Sequence, residues 1–369
     1  MYKDTALEIN EEGSHNGEFV EECYFFASDL DPAGINGEWS KYFYYTDSYQ
    51  DASIRLIDQH NRVKNPGIKS SIDLVEDSTL LSNEHKYVIF VREGFGHFLI
   101  NTLCVMFSIY EEDKEASFVF LTGTDEFDKF NTNKVLAFLT EVCDAYKIPH
   151  CILNSNKVSY SLDGHELQTD YLIYRAKNIT LVNGDLTTKD FSLKDIKTYI
   201  DKYIVQLFGG YQAPTRRIYI TRNNYNSNPE PYYLDKDFGI VGYKSVWDRI
   251  YDENLVEKHL ASYGFESVQV ESMNSIKDQI KLMMSTAVLV SPSGTGLTNC
   301  LFMPDNGLMV ELRVEIGSRG GSHRLTKEYF DFSAAKQHMY LATDVQDKQG
   351  TTAVKKLDRF FKLFDIEKL

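Results

Sequence analysis

No stretch of this 369-residue sequence approaches the roughly 18 consecutive apolar residues that a membrane-crossing helix needs. The N-terminal MYKDTALEIN also lacks the basic-then-apolar pattern of an export signal, so the chain reads as cytoplasmic, with no transmembrane segment. Cysteine is sparse. The five residues Cys23, Cys104, Cys143, Cys151 and Cys300 are odd in number and form no CxxC pair, which argues against both a disulfide framework and a zinc site. Basic residues are in deficit, 39 Lys and Arg against 54 Asp and Glu, and the net charge of −15 repels a nucleic-acid backbone. There is no GxxxxGK[ST] loop, which disfavours ATPase chemistry. There is also no GxGxxG followed by an acidic residue about 20 positions later, which disfavours a dinucleotide oxidoreductase. Two DxD patterns, Asp29-Leu30-Asp31 and Asp235-Lys236-Asp237, follow no convincing strand, so no metal site is assigned.

With 43% hydrophobic residues, 24 Tyr and 23 Phe, the chain is globular and long enough for two domains, each with its own core. Residues 1–85 show little sustained periodicity and are grouped with the first domain. Residues 86–209 alternate apolar runs (KYVIFV, SFVFLT) with helical spacings at 95–111, 133–146 and 193–207, a strand–helix pattern that ends at Gly209-Gly210. Residues 210–345 repeat the alternation more clearly: RRIYIT, a helix over 252–263, ESVQV, a helix over 275–286, AVLV and LMVEL. Such alternation predicts α/β domains with parallel sheets. A last helix over 352–364, within residues 346–369, has the option of packing back across the first domain. Leu255, Val256, Leu260 and Tyr263 are read as one buried helix face, and Ile276, Ile280, Met283, Met284 and Ala287 as another.

The segment AVLVSPSGTGLTNCLFMPDNGLMVEL has the most chemical content. A buried strand runs into a Ser- and Gly-rich turn that opens a short helix, and at such a junction the unpaired N–H groups of the helix start face an anion. Gly294 and Gly296 allow close backbone approach to a diphosphate, Ser293, Thr295 and Thr298 offer hydroxyls, and Asn299 is suited to tying the loop together. The same pattern also fits a plain tight connection. Glu311, in the next strand, is placed to accept ribose hydroxyls or simply to be exposed at a strand end. Arg222, just past RRIYIT, and Arg249 are candidates to neutralise a diphosphate leaving group, although Arg249 is also spaced to pair with Glu253 on a helix. In VREGFGHFLINTL, His97 stands at a strand-to-helix junction and has the pKa range of a general base. Glu93 is the alternative base, and capping or packing is the alternative role for the histidine.

In order along the chain, these segments resemble glycosyltransferase family 61. GFGHFLINTL is similar to the family's histidine-containing helix start and RRIYITR to its IYISR strand. DRIYDENLVEKHLASYGFESV resembles its R-x-I-x-N-E segment, and SPSGTGLTNCLFMPDNGLMVEL its HGAGLTN loop followed by V-x-E-L. The resemblance implies a GT-B fold, with two Rossmann-like domains facing a central cleft, and inverting transfer from a UDP-sugar of the pentose or N-acetylhexosamine class. The acceptor it implies is a glycan or glycoprotein hydroxyl, and neither a metal nor a cofactor is required. Taken with the residue readings, it makes Arg222, Arg249, Glu253, Ser293, Gly294, Thr295, Gly296, Thr298, Asn299 and Glu311 the donor-binding candidates, and His97 or Glu93 the catalytic ones. Ser293 stands where the family motif has histidine and Asp252 where it has asparagine. These departures keep open a second reading, a catalytically inactive nucleotide-sugar or glycan-binding protein of the same fold.

Overall fold

The computed structural model describes residues 17–28, 42–62, 68–91, 95–125, 129–161, 166–182, 193–221, 253–314, 322–345, 350–364 and 366. The chain forms two compact α/β units, Met1–Asp190 and Phe191–Leu369. Each is built on a sheet rich in parallel strands, consistent with two Rossmann-like domains of the GT-B class.

In the first unit, β1 (Gly17–Ser28), β2 (Tyr42–Thr46), α1 (Tyr49–Arg62) and β3 (Ile68–Val75) come from the part of the sequence without clear periodicity. The reason is visible in β1, which is covered on both faces. Cys23, Phe25 and Ala27 belong to one core cluster, while Phe26 packs with Ala52 and Leu56 of α1 in another, so apolar residues do not alternate with polar ones. Strand β4 (Lys86–Phe90) leads into a helical stretch of three pieces: α2 (Phe95–His97), a π-helical segment (Phe98–Cys104) and α3 (Val105–Glu112). Then follow β5 (Phe118–Asp125), α4 (Lys129–Tyr146), β6 (His150–Ser161) and the long β7 (Glu166–Val182). Strands β4, β5 and β6 run parallel, and β4 adds parallel to the second half of β7. The buried Val88, Ile89 and Phe90 make β4 the continuous apolar run expected of a strand enclosed on both faces.

The second unit opens with α5 (Leu193–Tyr199), continued by a π-helical segment (Ile200–Val205), then β8 (Arg216–Ile220), α6 (Glu253–Ala261), β9 (Glu266–Val268) and α7 (Ile276–Met283). Next come β10 (Thr286–Pro292), a 3-10 helix (Thr295–Phe302), β11 (Leu308–Val314), α8 (Ser322–Ala335), β12 (Met339–Val345) and α9 (Thr351–Leu363). All pairings in its sheet are parallel, in the order β12-β11-β10-β8-β9. Counted along this unit the order is 2-1-3-4-5, so the winding direction reverses between β8 and β10. Open α/β sheets bind their ligands at the carboxyl ends of the strands flanking such a reversal.

One face of this sheet (Tyr219, Val288, Val290, Leu308, Val310, Leu312) packs on Val256 and Leu260 of α6 and on Ala353, Leu357 and Phe361 of α9. The last helix therefore buries its apolar stripe within its own unit. Alternation along the strands turns the equally buried Leu289 and Met309 to the opposite face. Leu255, read as part of the apolar face of α6, is 41% exposed, because the buried stripe of that helix is Glu253, Val256 and Leu260 at i, i+3 and i+7. Ser275 starts α7 as an N-cap, its side chain accepting from the Asp278 N–H. Among the described residues, no helix is long and apolar enough to cross a membrane.

Phe361 ties α9 to this core: it is 2% exposed, stacks on Phe265 at 5.5 Å and meets Tyr263 edge-on at 4.9 Å. Phe361→Ala is expected to lower stability by about 3–5 kcal/mol. Denaturant unfolding followed by circular dichroism checks this, and a loss well under 1 kcal/mol would contradict the docking of α9.

Candidate functional site

The reversal point brings the carboxyl ends of β8 and β10 side by side. Beyond β8, the buried Thr221 donates its hydroxyl to Glu253 Oε2 at 2.5 Å, joining the strand end to the first residue of α6. Glu253 is 1% exposed, which accounts for a carboxylate in the apolar stripe of α6: its partner is inside. Thr221 immediately precedes Arg222 in the chain. Arg222 and Arg249, like Glu93 and both DxD patterns, lie outside the described residues.

Beyond β10 the Ser- and Gly-rich turn is fixed at both ends. At its start the Ser293 N–H donates to Leu312 O at 3.0 Å and the Ser293 hydroxyl to Glu311 Oε1 at 2.5 Å. The other oxygen of Glu311 accepts from the Tyr340 hydroxyl of β12. Gly294 then takes φ 149°, a conformation that side chains disfavour, and its carbonyl accepts from the Leu297 N–H at 2.9 Å as the 3-10 helix begins. At the far end Asn299 Nδ2 donates to Gly296 O at 2.8 Å, and Asn299 Oδ1 accepts from Gln279 Nε2 of α7 at 2.6 Å. Space at Gly296 is tight, since a Cβ there would meet Ile220 Cγ2 at 3.3 Å and Ser291 Oγ at 3.4 Å. The first N–H groups of the 3-10 helix have no acceptor within the helix, so the turn can receive an anion on backbone donors.

The structure thus brings together Ser293, Gly294, Gly296, Thr298, Asn299 and Glu311, with Glu253 at the neighbouring strand end. The side chain of Thr295 lies outside the described residues, and Thr298 and Asn299 are buried, as parts of the scaffold. Glu311 differs from the strand-end expectation because β11 continues through Arg313 and Val314. Its carboxylate is fully buried and accepts a hydroxyl on each oxygen, so it is not presented to a ribose at an open strand end. His97 belongs to the other unit, exposed at the end of α2, where the buried π-helical segment begins. π-Helical turns recur at functional sites, because the extra residue re-aims the side chains around it.

Sequence reasoning missed Thr221, Gln279 and Tyr340. Gln279 had a signal, a lone amide on the otherwise apolar face of Ile276, Ile280 and Met283. Tyr340 had none, because MYLATDV carries no polar–apolar alternation to mark a strand.

Behind the 3-10 helix lies a second polar network. His338 Nδ1 accepts from the Gly307 N–H at 3.0 Å, so Nε2 carries the proton and donates to Cys300 O at 2.9 Å. Beside it, the fully buried Lys336 bridges Asp201 and Asp305, each at 3.0 Å, while Lys197 reaches the same two carboxylates at 2.8 and 3.1 Å. These bonds fix the carboxyl end of the 3-10 helix to α5 and to the turn after α8.

A profile of the glycosyltransferase 61 family matches residues 95–310, more than half of the chain. The protein belongs to glycosyltransferase family 61. In this glycosyltransferase the matched span starts at the His97 helix, takes in the reversal point and the Gly-rich turn, and stops one residue before Glu311. Among curated proteins, none matches the chain.

Burial lowers the pKa of His338 from the usual 6.5 to about 4, with the backbone bond to Cys300 raising it, Lys336 lowering it, Asp305 raising it and Lys197 lowering it. Between those values the unfolded chain binds a proton that the folded one does not. The stability contributed by neutral His338 is therefore complete above pH 6.5 and is lost as the pH falls toward 4. The loss amounts to about 3 kcal/mol. His338→Gln should flatten the pH dependence of the urea midpoint in that window, and an unchanged slope would contradict the assignment.

Proposed function

We propose that this glycosyltransferase moves a sugar from a UDP-sugar, of the pentose or N-acetylhexosamine class, to a hydroxyl of a glycan or glycoprotein, with inversion and without a metal. The observation that carries this reading is the turn at Ser293–Gly296, held at both ends at the reversal point of the second sheet with its helix-start N–H groups available to a diphosphate. Arg222, next in sequence to the anchored Thr221, adds a guanidinium for the phosphate oxygens, and Arg249 is a second candidate. Glu253 and Glu311 act on the donor through Thr221 and Ser293. In the transfer, His97, or Glu93 in its place, takes the proton of the acceptor hydroxyl as its oxygen bonds to the anomeric carbon. The bond from that carbon to the diphosphate oxygen breaks on the opposite face, and UDP leaves with the electron pair, stabilised by the turn amides and the arginine. Five free cysteines, four of them buried, support a cytoplasmic setting.

Ser293, standing in the motif's histidine position, supports a second reading: a nucleotide-sugar or glycan-binding protein without turnover. One experiment separates the two. UDP release is measured across a panel of UDP-sugars and acceptors in EDTA, alongside calorimetric binding of UDP. Transfer in EDTA is expected, with Arg222→Ala lowering kcat/KM by about 10²-fold. UDP binding without release across the panel would favour the second reading. A requirement for Mn²⁺, or full activity of Arg222→Ala, would overturn the mechanism.

A further inference from the structure

We infer that Tyr340 and Gln279 are positioning residues for the donor, holding the two ends of the Ser293–Gly296 turn without touching the nucleotide. The inference rests on the reading of that turn as the seat of the diphosphate. Each residue works through one intermediary. Tyr340, on β12, donates to Glu311, which holds the Ser293 hydroxyl at 2.5 Å. Gln279, on α7, donates to Asn299 at 2.6 Å, and Asn299 holds the Gly296 carbonyl at 2.8 Å. The two chains approach from different elements and end on either side of Gly294, the residue at φ 149°. Their intermediaries, Glu311 and Asn299, are both fully buried, so neither bond is readily replaced by water.

A chemical consequence follows for Ser293. A serine hydroxyl has one proton, and this one is committed to Glu311, so Ser293 cannot also donate to a phosphate. The anion is left to the backbone N–H groups of Gly294, Thr295 and Gly296, whose directions depend on where the turn is held. Errors of about 1 Å in such placement can cost 10²-fold in function, and two buried braces prevent them. Phe330 of α8 covers Tyr340 edge-on at 5.8 Å and restricts the ring that carries one of these braces.

The test uses the full chain and UDP itself. Binding is measured by calorimetry for wild type, Tyr340→Phe, Gln279→Leu and Gly294→Ala, with a thermal melt of each. Positioning predicts that Tyr340→Phe and Gln279→Leu each raise the Kd for UDP about tenfold or more, while the fitted stoichiometry stays near that of wild type. A merely structural role would lower the melting temperature and the stoichiometry and leave Kd unchanged, and that result overturns the inference. Should Tyr340→Phe fail to fold, Gln279→Leu decides alone. Gly294→Ala separates the two layers of the argument. If it binds UDP as wild type does, or if wild type does not bind UDP, the turn is not the diphosphate seat and the inference falls with that reading. If Gly294→Ala alone weakens binding, the seat stands and the braces do not.

Discussion

The Gly-rich turn of the second unit depends on one buried interaction, the carboxylate of Glu311 accepting hydroxyls from Ser293 and Tyr340. A carboxylate with no exposure is costly unless its oxygens are occupied, and removing one donor costs more than the bond itself contributes. The two hydroxyls come from the turn after β10 and from the adjacent β12, so satisfying Glu311 fixes the turn to the sheet. The backbone bond from Ser293 to Leu312 reinforces the same register. The Gly-rich turn is therefore a braced feature whose free N–H groups have set directions.

The surrounding fold makes this placement useful. With the order 2-1-3-4-5 in the second unit, the turn leaves the sheet beside the end of β8, where Thr221 is held by Glu253. On the far side, Lys336, Lys197, Asp201 and Asp305 with His338 fix the other end of the 3-10 helix. The three sets of bonds hold a short helix whose first N–H groups have no acceptor within it.

Much of this was legible in the sequence. The run AVLV, the glycines after it and the strand LMVEL all appear where expected, because a strand enclosed on both faces must be continuously apolar and a turn at φ 149° must be glycine. The role of Glu311 was not legible. LMVEL reads as a strand with its glutamate near the carboxyl end, whereas the strand runs on to Val314 and carries the carboxylate into the core. Tyr340 was invisible for a different reason: β12, MYLATDV, exposes Met339 and buries Thr343, so residue polarity does not mark its two faces. In the first unit β1 escaped because both of its faces are buried, which removes the period of two. The family likeness, by contrast, lay in short ordered motifs, and these survive where periodicity fails.

The seat proposed for a nucleotide diphosphate is the turn between Ser293 and Asn299. A crystal structure of the protein soaked with UDP tests it most directly. Diphosphate density is expected within hydrogen-bond distance of the Gly294, Thr295 and Gly296 N–H groups, with Ser293 still bonded to Glu311. Ordered UDP bound elsewhere, with the turn empty, would contradict it.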